Sequence, residues 1–181
     1  MEFKSTIMDS GAVNRALARI SHEIIERNCD SGDICLVGIM RRGAPLADIL
    51  AAKIKSLGIE TEIGYLDITL YRDDLTESVD RPKLKDTKIE FSVTGKTVIM
   101  VDDVLFTGRT ARAAMDAIMS LGRPAKIQFA ALIDRGHREL PICANYVGKN
   151  IPTSKDEFIN VKVDETDGTT EVVLSKKGNK A

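Results

Sequence analysis

Tryptophan is missing from this chain, aromatic residues make up 4% of its 181 positions, and it has only two histidines and three cysteines. Each scarcity excludes something. His22 and His137 are not spaced to share a metal, and Cys29, Cys35 and Cys143 form an odd set without a CxxC pair. Structural zinc and a disulfide framework are therefore not encoded, and a reduced, cytoplasmic protein is expected. No serine–histidine–acid set or reactive-cysteine arrangement is evident. No apolar run approaches the roughly 18 residues that suggest a membrane span. Glu2, Lys4 and Asp9 occupy the stretch where a signal peptide would carry its apolar core. A net charge of −1 leaves no global basic field, so any nucleic-acid surface must be a local patch. What remains, 43% hydrophobic and 29% charged residues, is ordinary for a globular chain, and the length predicts one domain over 1–181.

Periodicity divides the chain into alternating elements. Residues 12–28 place Val13, Ala16, Leu17, Ile20 and Ile24 on one helical stripe, with Asp9 or Ser10 as cap. A strand over 34–39 leads into Met40-Arg41-Arg42-Gly43, and a helix over about 45–56 stops at Gly58. A strand is expected within 59–70, then a long polar loop over 71–87 of the kind that is functional or disordered. After a strand at 97–101, Ala111, Ala114, Met115, Ile118 and Leu121 line a helix that Gly122 and Pro124 end. Strands at 127–133, 145–147, 159–163 and 170–174 follow, the last two joined as a hairpin across Asp167-Gly168, and the tail from 176 is expected to fray. This alternation predicts an α/β fold, a doubly wound and mostly parallel sheet. In such sheets ligands bind beyond the carboxyl ends of the strands.

The chemistry concentrates in residues 98–110, Val-Ile-Met-Val-Asp-Asp-Val-Leu-Phe-Thr-Gly-Arg-Thr. An apolar strand runs into Asp102 and Asp103, then into a small hydroxyl-rich turn, then into a helix. Alternate side chains of a strand face opposite ways, so both acids can meet one ligand only if the strand ends at 101 and the chain turns. Adjacent carboxylates stay ionised most easily with hydroxyl donors or a cation between them. Thr107, Gly108, Arg109 and Thr110 supply hydroxyls and free backbone N–H groups at a helix start, an anion site that phosphate commonly fills. A diol for the acids and a phosphate for the turn describe a sugar phosphate. An acidic strand end that merely caps a helix is the plainer alternative.

Other segments are less specific. Arg41 and Arg42 end a strand with two guanidiniums suited to phosphate oxygens, and Gly43 lets backbone approach closely; a solvated basic turn is the alternative. Arg72, at the head of the long loop, is either part of a lid or simply a surface charge. Asp134-Arg135-Gly136-His137-Arg138 follows another strand and suits either recognition or a solvated turn. Arg15, Arg19, His22 and Arg27 share a helical face, which is usually only solvated. Gly95-Lys96-Thr97 is not a phosphate-binding P-loop, because position 90 is Glu and a strand follows.

Residues 98–110 resemble the phosphoribosyl-pyrophosphate (PRPP) motif of type I phosphoribosyltransferases. Further passages, Arg19-Ile20-Ser21-His22-Glu23, Asp67-Ile68-Thr69-Leu70-Tyr71-Arg72-Asp73-Asp74, 134–141 and 148–154, resemble the family of bifunctional pyrimidine operon regulators and uracil phosphoribosyltransferases. That resemblance implies the type I fold with a small hood. It implies transfer of ribose 5-phosphate from PRPP to uracil, giving UMP and pyrophosphate, with Mg2+ carried mainly by PRPP. It also implies UMP- or UTP-promoted binding to the leader of pyrimidine-biosynthetic mRNA by a homodimer or higher homo-oligomer.

Carried over, Asp102 and Asp103 hold the ribose hydroxyls and Arg72 acts at the leaving group. Thr107 to Thr110 take the 5-phosphate, beside Val104, Leu105 and Phe106. Arg41, Arg42 and Gly43 hold pyrophosphate, and Asp134, Arg135 and Arg138 help frame uracil, partly through backbone groups. Arg19, His22, Arg27, His137, Arg138 and Lys149 face RNA. Three departures from the family pattern cover four positions: Met40-Arg41 stands where Lys-Thr is usual, Ala18 where Thr is frequent, and Cys143 where Arg is frequent. A nucleotide-sensing RNA regulator with little catalysis, or a transferase for a purine base, are the alternatives.

Overall fold

The computed structural model describes residues 2–29, 33–68 and 87–176. Five parallel strands form the main sheet: β2 (Ile34–Ile39), β3 (Glu62–Leu66), β4 (Thr97–Leu105), β5 (Lys126–Asp134) and β6 (Tyr146–Asn150), in the order β3-β2-β4-β5-β6. Their side chains alternate between two apolar layers, as the pleat requires. Leu36, Ile99, Val101, Ala130 and Leu132 pack with helices α1 (Ser10–Asn28) and α2 (Gly43–Ser56). Val37, Val98, Met100, Phe129 and Ala131 pack with α3 (Arg109–Leu121) on the opposite face. The expected doubly wound sheet is therefore present, and it explains why β2 is buried at all six positions. Asp9 caps α1, its side chain accepting the Ala12 N–H at 2.7 Å.

A second sheet was only half legible. Strands β1 (Glu2–Met8), β7 (Glu157–Lys162) and β8 (Glu171–Lys176) pair antiparallel in the order β1-β8-β7. β1 was not expected: it is an edge strand that buries only Met8, so its sequence has no apolar alternation to read. The connection at Asp167-Gly168 is not a tight hairpin turn. A one-turn helix, α4 (Asp164–Asp167), precedes Gly168, whose φ of 69° closes it. Val161, Val163 and Val172 carry this sheet into the core shared with α1 and α2.

One buried polar cluster fastens α1 to the sheet. Asn28 donates to the Ile24 carbonyl (2.8 Å), to Gln128 Oε1 (3.0 Å) and to the Tyr146 hydroxyl (3.0 Å). Gln128 donates back to Asn28 Oδ1 at 3.0 Å, and the Tyr146 hydroxyl donates to Gln128 Oε1 at 2.8 Å. Satisfied networks of this kind specify one packing, and they are costly to break because each remaining group is left buried. Tyr146→Phe is expected to cost about 1–3 kcal/mol in urea denaturation; an unchanged midpoint would show that the network contributes nothing.

Candidate functional site

Strand β4 does not stop at Val101. It continues through both acids to Leu105 in unshifted register with β5, while its pairing with β2 ends at Gly38 and Val101. Past that last β2 partner, two backbone N–H groups turn to carboxylates of their own segment. The Asp103 N–H donates to Asp102 Oδ1 at 2.9 Å, and the Val104 N–H donates to Asp103 Oδ1 at 2.8 Å. β4 thus has an open edge where a strand end was expected, and both acids line one cavity of about 600 Å³. Met40, Arg41 and Arg42 enter it after β2, Asp67 and Ile68 after β3, and Thr110 from α3, so it lies beyond the carboxyl ends of three strands.

A second cavity of about 300 Å³ follows the turn, lined by Leu105 to Ala111 with Phe129 and Glu139. Asp102, Val104 and Thr110 line both, so the two cavities adjoin. Gly108, at φ 93°, turns the chain into α3 in a conformation that favours glycine. The Thr107 carbonyl accepts the Glu139 and Leu140 N–H groups at 2.9 and 3.1 Å, and Arg109 pairs with Glu139 at 2.7 Å. Thus the 139–140 segment braces the helix start whose positive end faces this space.

The electrostatics are set by burial. Asp102 is only 7% exposed, and burial, with the Asp103 charge beside it, raises its carboxyl well above the ordinary value. Burial raises Asp103 too, offset by the Val104 N–H and the Arg42 guanidinium. The donors to the acids are therefore backbone amides rather than the hydroxyls expected, and the nearby cation is Arg42, whose charge acts on Asp103.

Several expected ligands are placed differently. Gly43 is buried outside the cavity lining, and a Cβ there would lie 2.3 Å from the Val101 carbonyl oxygen. Its close approach is to the neighbouring strand, not to a ligand. Asp134, Arg135 and Arg138 line neither cavity, because their side chains are used internally. Arg135 stacks on Phe106, 4.1 Å from its ring centroid, and donates to Thr153 Oγ1 (3.0 Å) and the Glu157 carbonyl (2.7 Å). Arg138 pairs with Asp134 and donates to the Phe106 and Ile142 carbonyls at 2.7 and 2.8 Å. Any contact of this turn with a base falls to its backbone. Arg72 lies outside the described residues.

The cations expected to face RNA divide into two groups. Arg19 donates to the Val147 and Gly148 carbonyls at 2.9 and 2.7 Å and pairs with Glu23. Arg27 sits 5.3 Å from the Tyr146 ring centroid, Lys149 donates to the Ile7 carbonyl at 3.4 Å, and His22 is exposed on α1. These four belong to the α1–β6 side. His137, at φ 60°, bonds the Thr153 carbonyl and belongs with Arg138 to the turn after β5.

Sequence reading did not assign Asp67, Ile68, Phe129 or Glu139 to the site. Asp67 and Ile68 fall inside the 59–70 range expected to hold a strand, which ends at Leu66, so the rule that ligands lie past strand ends pointed too far along the chain. Phe129 and Glu139 carry no local signal.

A phosphoribosyl transferase domain model matches residues 4–166. A bifunctional protein PyrR from Pelotomaculum thermopropionicum is 58% identical over 94% of this chain and 95% of its own length. One from Thermoanaerobacter sp. is 56% identical over 98% and 100%, respectively. The chain belongs to the PyrR family. Among solved structures, hypoxanthine phosphoribosyltransferase of Trypanosoma cruzi covers 97% of this chain and 98% of its own, with a TM-score of 0.75 and 15% identity. The Staphylococcus aureus enzyme of that name gives 0.72 and 20%, over 97% and 94%. These share the fold, that of the type I phosphoribosyltransferases.

The raised Asp102 carboxyl has a sign that can be measured. Above the ordinary value of 3.8 the unfolded chain has lost this proton while the folded chain still holds it, so the group lowers stability as pH rises through that window. Asp102→Asn keeps the acceptor for the Asp103 N–H and removes the titration. Its denaturation midpoint is expected above wild type at neutral pH, the two converging as pH falls toward 3.8. A variant less stable than wild type at neutral pH would contradict this.

Proposed function

We propose that the cavity binds PRPP and transfers its ribose 5-phosphate to uracil, giving UMP and pyrophosphate, and that bound uridine nucleotide promotes binding to a pyrimidine-operon leader RNA. The observation that carries the reading is that the two cavities adjoin, with Asp102, Val104 and Thr110 in the lining of both. One ligand with a diol and a phosphate would span the acids and the α3 start together. Ribose hydroxyls donating to Asp102 and Asp103 favour the ionised carboxylates, offsetting the burial that opposes them. Thr107 to Thr110 hold the 5-phosphate, with Leu105 and Phe106 walling that half. Arg41 and Arg42 meet the pyrophosphate at the other end, where Arg72 would join them.

A uracil ring nitrogen attacks the anomeric carbon as its bond to the pyrophosphate oxygen breaks, and the nitrogen's proton is lost to solvent. Fixing the sugar at both ends leaves that carbon exposed to attack, so catalysis rests on positioning and on charge placed in advance. The arginines meet negative charge growing on the leaving pyrophosphate. The cavity's acidic donors are carboxylates, the hard oxygen ligands that magnesium takes, and no cluster of three or more metal-ligating side chains exists among the described residues. That fits Mg2+ delivered with PRPP, where it neutralises pyrophosphate charge.

The word bifunctional in the relatives' names supports a second activity. For RNA, Arg19, His22, Arg27 and Lys149 offer a cationic side, with His137 and Arg138 on the adjoining turn, in a homo-oligomer. A loop or bulge is the expected target, because duplex RNA hides its base edges. Ala18 and Cys143 remove two contacts that the family frequently has. No helix among the described residues is long and apolar enough to cross a membrane, and we place the protein in the cytoplasm.

Incubation with PRPP, Mg2+ and each nucleobase is expected to yield UMP from uracil alone. A purine nucleotide would reassign the base. No product with any base, alongside salt-sensitive, UMP-enhanced RNA binding, would favour a sensor. The Asp102→Asn/Asp103→Asn double variant is expected to fold and to lose activity by about a thousandfold; an active one would remove the acids from the mechanism.

A further inference from the structure

We propose that Asp167, on the short helix between β7 and β8, is a positioning residue that holds the Arg42 guanidinium at the cavity mouth. The proposal rests on the reading of residues 40–43 as the pyrophosphate contact. Arg42 lies in the turn between β2 and α2, where a long side chain 39% exposed would otherwise sample many rotamers. Instead Asp167 grips it side-on: Nη2 lies 3.1 Å from Oδ1 and Nε lies 3.4 Å from Oδ2. The two residues are 125 positions apart, Arg42 on a connection of the main sheet and Asp167 on the β7–β8 connection of the small one.

Asp167 is itself fixed. Its Oδ2 accepts the Val163 N–H at 3.0 Å, closing the turn of α4. That N–H and the Arg42 guanidinium hold the Asp167 carboxyl below its ordinary range, so it stays ionised. Its neighbour Glu165 lines a cavity of about 240 Å³ with Met40, Asp48, Tyr65 and Lys88. α4 therefore lies beside Met40 as well as Arg42.

Arg42 has a second anionic neighbour, because its charge also acts on Asp103 inside the cavity. The guanidinium is thus bonded to an acid on the β7–β8 connection while its charge acts on an acid of β4. An ion pair this exposed adds little stability. What it supplies is a fixed fork, so that PRPP meets an arginine whose rotamer freedom is already restricted. Asp167 does not touch the ligand. It acts through Arg42.

The test is a double-mutant cycle read by steady-state kinetics with PRPP, Mg2+ and uracil, with thermal unfolding recorded for each variant. Asp167→Asn keeps an acceptor for the Val163 N–H and removes the charge. It is expected to raise KM for PRPP about 3- to 10-fold, with kcat within about twofold and KM for uracil unchanged. Asp167→Glu restores most of the affinity. In an Arg42→Gln background, Asp167→Asn adds nothing further. A silent Asp167→Asn, or a loss that adds in full to that of Arg42→Gln, overturns the positioning role while leaving the pyrophosphate reading intact. If Arg42→Gln itself leaves KM for PRPP unchanged, the pyrophosphate reading fails and takes the proposal with it.

Discussion

Two neighbouring carboxylates buried at the end of a central strand are the constraint around which this molecule is arranged. Burial and mutual repulsion both oppose their ionisation. The chain meets that cost locally. β4 loses its β2 neighbour after Val101, and the amides of Asp103 and Val104 bond the carboxylates beside them. Both side chains line one cavity at that open edge.

The surroundings hold that open edge in place. Gly43 brings the start of α2 against the Val101 carbonyl, one residue before the first acid, so the basic turn and the acids are fixed to each other through backbone. The turn after β5 is pinned similarly, with Arg135 and Arg138 bonding carbonyls from several segments around Phe106. Among the described residues, Arg41 and Arg42 are the basic candidates that line the larger cavity. Arg42 in turn is drawn toward the small sheet by Asp167, so both sheets bear on one site.

Much of this was legible in the chain. The doubly wound sheet followed from alternating periods, and residues 98–110 carried the acids, the turn and the helix start in one passage. What escaped had no local signature. β1 buries a single side chain, so no apolar rhythm marks it. The roles of Arg135 and Arg138 depend on carbonyls such as those of Glu157 and Phe106, which sequence distance hides. Gly43 was read as letting backbone approach a phosphate, whereas its approach to the Val101 carbonyl is settled only by packing. The continuation of β4 past Val101 was missed because its pairing with β5 runs on to Leu105 after the continuous apolar run has ended.

The central claim is that one ligand lies across the acids and the start of α3. The most direct measurement is an experimental structure of the protein with UMP bound. The ribose hydroxyls should lie within hydrogen-bonding distance of Asp102 and Asp103, and the phosphate against the backbone of Thr107 to Thr110. A nucleotide seated elsewhere, or oriented with its phosphate away from that helix start, would contradict the account.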